Sequence, residues 1–188
     1  MSWHGRSPRD RGGASEANAG FSLLELVIVI VIISVLLVLA VSRLLALQVD
    51  AERVTMEMVA GILRSAIGMK VAESIVKSKV SELKVLEGSN PMDLLAEVPR
   101  NYLGEKEDVD PLKLEDGNWY FDKREKALVY LVRNRGFFEG GASNPPRARF
   151  SVRLVYSDTN GNGIFDQGIE KVEGLRLSSV EPYSWLRN

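Results

Sequence analysis

Hydrophobic positions form one unbroken block near the start of the chain and then give way to shorter, periodic patterns. From Leu26 to Ser42 there is no charge, no Gly and no Pro, and extended back to Phe21 the block is 22 residues long. As a helix it measures about 33 Å, the hydrocarbon thickness of a bilayer. Residues 21–48 are therefore predicted to span a membrane. One residue breaks the block: Glu25, near its start. A charge inside a membrane helix costs on the order of 2.5–3.5 kcal/mol at the centre and less near the end, so Glu25 calls for a partner.

Beyond the block the helical pattern continues. Val54, Met58, Ile62, Ser65, Met69, Ala72 and Val76 recur every three or four residues, the spacing of one helix face. That face is expected to pack on a soluble domain. Glu73 and Lys77 are placed to pair at i, i+4. The first glycine after the block is Gly61 and the next proline is Pro91, so one helix is predicted from about Ser22 to Lys79. Between Ser89 and Pro111 the pattern turns to loop, with a short helix capped by Asn90 and started by Pro91.

The C-terminal half alternates with period two. Trp119–Asp122 and Ala127–Val132 flank a charged turn and predict a β-hairpin. Phe150, Val152, Leu154 and Tyr156 share one face of a third strand, and Val172–Leu177 supplies a fourth. Arg135–Pro146 is expected to be a loop exposing Phe137 and Phe138. The resulting fold is α+β: a long N-terminal helix packed on a four-stranded antiparallel sheet that is apolar on the covered face.

Composition narrows the chemistry. The formal net charge is −1 and there is no cysteine, which excludes disulfides, thiol nucleophiles and cysteine-ligated metals. The single histidine is His4. Without it the rest of the chain cannot build Ser-His-Asp, Cys-His or the usual zinc arrangements, and no acid pair stands out for carboxylate catalysis. An enzyme is therefore not expected. Nothing in the charge pattern suggests nucleic acid. Residues 1–20 are polar and aperiodic, with Arg6, Arg9 and Arg11 against Asp10 and Glu16. The arginines favour the cytoplasmic side.

Gly20-Phe21-Ser22-Leu23-Leu24-Glu25, followed by the long aliphatic helix, resembles the prepilin-type signal of type IV pilins and type II secretion pseudopilins. The resemblance implies a leader of residues 1–20 and cleavage after Gly20 by a prepilin peptidase. It also implies methylation of the new Phe21 amine, and pairing of that amine with Glu25 during assembly with other subunits on an inner-membrane platform. Residues 49–188 would then be an exported, periplasmic globular domain. The competing explanations are a plain signal anchor and a secretory signal peptide. The second typically has an apolar region of only ~7–15 residues.

A second informative stretch lies between the last two strands. Asp158, Asn160 and Asn162 alternate before Gly163, and the Ile164 carbonyl and Asp166 follow. This is the order of oxygens in a D-x-[DN]-x-[DN]-G calcium loop. Position twelve of such a loop is Ile169 here, and Glu170 comes one place later. A calcium site formed by Asp158, Asn160, Asn162, Ile164, Asp166 and Glu170 is one expectation. A polar hairpin loop shaped by its two Asn-Gly pairs is the other. The segment also resembles one found in H-type minor pseudopilins and minor pilins. Two functions follow: a minor filament subunit, or a membrane-tethered calcium-dependent binding domain that does not polymerise.

Overall fold

The computed structural model describes residues 21–141 and 144–186. Helix α1 covers Leu23–Val76. Strands follow in the order β1 (Tyr102–Lys106), β2 (Trp119–Asp122), β3 (Ala127–Leu131), β4 (Phe138–Gly140), β5 (Arg147–Ser157), β6 (Lys171–Ser179) and β7 (Tyr183–Trp185). The chain divides into two compact units, residues 1–43 and residues 44–188.

In the first unit the described residues are helical from Leu23 onward. The apolar side chains from Leu23 to Val41 are exposed, and the helix is long and apolar enough to cross a membrane. Its two serines leave no free hydroxyl donor: Ser34 Oγ donates to the Ile30 carbonyl at 2.7 Å and Ser42 Oγ to the Val38 carbonyl at 3.0 Å. Back-bonding of this kind lets a hydroxyl sit in hydrocarbon without an unpaired donor.

In the second unit α1 buries Val49, Met56, Val59, Ala60, Leu63, Ala66 and Ile67. These residues recur at helical spacing, but they are not the expected stripe. Val54, Met58, Ile62, Ser65, Met69, Ala72 and Val76 are all exposed. The period was legible and the face was not, because the helix is apolar on two opposite sides. The helix ends at Val76 rather than Lys79. There Ser78 takes the left-handed conformation (φ 57°), Ser78 N–H donates to the Ile75 carbonyl and Lys79 N–H to the Ser74 carbonyl. This is a Schellman stop made with serine in place of the usual glycine.

The sheet has five strands in the order β1-β2-β3-β5-β6. β1 pairs with β2 in parallel and the other pairs are antiparallel. The expectation of four antiparallel strands is corrected by β1, whose Tyr-Leu-Gly-Glu-Lys sequence has neither alternation nor β-branched residues. A separate two-stranded sheet joins β4 to β7. Phe138 is consequently buried at 6% exposure, stacked on Tyr183 and edge-on to Trp185, so the predicted exposed loop is half a strand pair. The hairpin β2–β3 forms as expected. Asp122 Oδ1 accepts the N–H groups of Arg124 at 2.9 Å and Glu125 at 3.0 Å, an Asx turn.

The core unites the buried face of α1 with the inward residues of the sheet. Trp119 packs on Tyr130 (ring centroids 4.8 Å) and on Phe150 (5.9 Å). β3 is buried at every position, because Val109 and Leu114 cover Tyr120, Val129 and Leu131 on the other face of the sheet. The short helix at Pro91 forms as predicted, with the Asn90 side chain accepting from Met92 N–H.

Candidate functional site

The first candidate site is the start of α1. Gly20 lies outside the described residues, as does the whole 1–20 leader. Phe21 is exposed and precedes the helix. Ser22 is its N-cap: Ser22 Oγ accepts the Glu25 N–H at 3.1 Å, and the Ser22 carbonyl accepts the Leu26 N–H. Ser22 with Glu25 three residues on has the spacing of a capping box. Glu25 thus sits in the first turn, where unpaired N–H groups and the helix dipole favour a carboxylate. The local fold holds the Glu25 backbone within one turn of Phe21, so the two residues that the resemblance makes functional are near neighbours.

The second candidate is the loop between β5 and β6. Asp158 is exposed and holds two turns together: Oδ1 accepts Gly161 N–H at 2.6 Å and Oδ2 accepts Gly163 N–H at 2.9 Å. Those amides, Gly163 first, hold its carboxyl below the ordinary carboxylate range. Gly161 and Gly163 have φ near +70°, where a side chain is strained. Asn160 Oδ1 accepts Asn162 N–H, and Asn162 Oδ1 accepts Ile164 N–H. Both amide nitrogens converge on Asp166 Oδ2, at 2.7 and 2.9 Å. Glu170 is buried; its oxygens take Thr159 N–H at 3.1 Å and Asp166 N–H at 3.0 Å. Phe165 anchors the loop edge-on against Tyr156.

The structure therefore brings Asp158, Asn160, Asn162 and Asp166 together and sets Glu170 beneath them as a backbone clamp. Among the described residues no group of three or more His, Cys, Asp and Glu is placed to hold a metal. Calcium here would draw on amide and carbonyl oxygens as well. It would require Asn160 and Asn162 to turn over, exchanging two N–H donors at Asp166 for two oxygens. Amide nitrogen and oxygen are nearly equal in size, so that exchange changes chemistry and not shape.

A third site had no signal in the sequence. Glu52, on α1, accepts hydrogen bonds from Tyr130 Oη at 3.0 Å, Arg133 N–H at 2.6 Å, Asn134 N–H at 2.9 Å and Asn134 Nδ2 at 2.6 Å. One carboxylate thereby ties the helix to the end of β3. In the sequence it is one acid among several after the apolar block; only tertiary pairing distinguishes it.

Residues 17–41 match the family described as the prokaryotic N-terminal methylation motif. The chain thus carries the signal of type IV pilins and pseudopilins at the head of a long apolar helix. No curated protein and no solved structure matches the chain.

Proposed function

We propose that the protein is a structural subunit of an inner-membrane filament machine, a minor pilin or pseudopilin, and not an enzyme. The observation that carries this reading is the methylation motif over residues 17–41, seated on a helix whose first 21-residue stretch buries nothing against its own chain. A prepilin peptidase removes residues 1–20, Phe21 becomes the methylated N-terminus, and Glu25 pairs with the Phe21 amine of a neighbouring subunit. Before assembly the helix anchors the subunit once through the inner membrane, with the N-terminus cytoplasmic and residues 49–188 periplasmic. Type II secretion pseudopili and type IV pili use the same signal, and either machine accommodates these features. Calcium held by the Asp158–Glu170 loop is proposed as an accessory stabiliser of the exported domain. Its donors are Asp158, Asn160, Asn162, the Ile164 carbonyl and Asp166, with Glu170 orienting the loop beneath.

The test is the mass of the N-terminal peptide from protein extracted from host membranes. A peptide beginning at N-methyl-Phe21 is the expected result. A chain retaining Met1, or one cut after the apolar block, refutes the reading.

A further inference from the structure

The exposed face of α1 in the second unit has a shape as well as a hydropathy. Val54, Met58, Ile62, Met69 and Val76 are each about half exposed or more. They lie opposite the face that packs on the sheet, and no charged residue interrupts the line that they form. At about 100° per residue, small residues run alongside them. These are Gly61 and Ser65, four apart, then Gly68 and Ala72, again four apart, with seven residues from one glycine to the next. A Cβ added to Gly61 or Gly68 would meet nothing within 4 Å. Inside this chain, then, neither glycine is needed for fit or for backbone conformation, yet each weakens a helix interior relative to alanine. Ser65 adds no free donor to the hollow, because its Oγ donates to the Gly61 carbonyl at 3.1 Å.

We infer that this face is a close-contact seat for a second α-helix, the apolar helix of a neighbouring subunit of the same methylation-motif class. Small residues four apart let two helix backbones approach to a distance that larger side chains forbid. Two such pairs a heptad apart make a shallow axial groove about 16 Å long at about 1.5 Å per residue, the form that takes a helix and not a loop. Met58 and Ile62 at one end and Met69 and Val76 at the other brace the occupant with flexible or branched apolar surface. The stripe also continues, on the same helix, the apolar surface that begins at Leu23. Ion pairs of both signs, Arg53–Glu57 and Lys70–Glu73–Lys77, border it without entering it, so like helices meet there without net repulsion. The inference rests on the filament reading and gives it a location.

The experiment uses the full-length chain expressed in its host. Gly61→Leu and Gly68→Leu are compared with wild type and with Glu57→Leu, a flank control, for the fraction of processed chain recovered with sheared filaments. Thermal unfolding is followed in detergent. The glycine variants should lose incorporation roughly tenfold or more, as overpacking of a close contact predicts, while their Tm stays at or above that of wild type. Glu57→Leu should incorporate normally. Glycine variants that incorporate as wild type does overturn the seat and leave the filament reading intact. Wild-type chain absent from filaments overturns both. The occupant is identified through the cysteine-free background: a benzophenone maleimide on Met58→Cys should link to a peptide from an apolar N-terminal helix. A link to a sheet or loop peptide refutes the helical occupant.

Discussion

Replacing Glu52 tests whether one carboxylate fastens α1 to the sheet. Glu52→Ala removes the acceptor for four donors: the Tyr130 hydroxyl, two backbone N–H groups and the Asn134 amide. A hydrogen bond to a charged group contributes about 1.5–3 kcal/mol. Arg133 is exposed and Asn134 half-buried, so water replaces part of what is lost, while Tyr130, 4% exposed, is left with a desolvated hydroxyl. A net loss of about 2–4 kcal/mol follows, which for a domain of this size lowers Tm by roughly 5–15 °C. Glu52→Gln keeps one acceptor oxygen and should lose about half as much. The assay is near-ultraviolet circular dichroism of the full-length chain in detergent. Its signal comes from the Trp119–Tyr130–Phe150 stack and so reports the junction of helix and sheet and not helix content. A Glu52→Ala protein melting within about 1 °C of wild type would show the four contacts to be replaceable by water and refute the latch.

Glu25→Ala should still be processed and retained in the membrane but should fall out of assembled filaments; co-purification with filament partners at the wild-type level contradicts its assembly role. Alkaline stability should decline above about pH 10, because burial first and then the Glu52 carboxylate push the Tyr130 phenol up. The folded state keeps that proton longer than the unfolded chain, so the contribution is complete below the ordinary tyrosine range and is lost as pH rises beyond it; Tyr130→Phe should make the decline shallower. Millimolar calcium should raise Tm by several degrees over chelator, since a ligand at a hundredfold excess over its Kd adds about 2.7 kcal/mol, and Asp158→Ala should remove most of the difference. Superimposable curves would leave the loop as a turn closed by its own amides.

What the sequence disclosed depended on whether the physical cause was local. The membrane helix, the Asn90-capped turn and the β2–β3 hairpin each rest on neighbouring residues, and each was legible. So was the processing signal, because Gly20, Phe21 and Glu25 act through linear spacing. β1, β4 and β7 were not. They are five residues or fewer, and a partner strand rather than their own composition makes them strands. Glu52 was hidden for the same reason, since its partners lie at least 78 positions away along the chain.

The misassigned face of α1 is the more instructive case. Periodicity counts apolar residues along a line and cannot say which of two lines meets the chain's own sheet. Met56, Val59, Leu63 and Ile67 were also present at helical spacing. Size separates the two lines: the buried one offers branched and long side chains at consecutive turns, while the exposed one is interrupted by Gly61, Ser65, Gly68 and Ala72. A face that must fill the space above Trp119 and Phe150 needs volume at every turn, and glycines there would leave voids costing several kcal/mol. On the opposite face the same glycines cost only helix propensity, about 1 kcal/mol each. Small residues at regular intervals on an otherwise apolar stripe therefore argue against packing on the chain's own core and in favour of a backbone arriving from outside. A helix with this division of residues has one face for its own sheet and another for a neighbour.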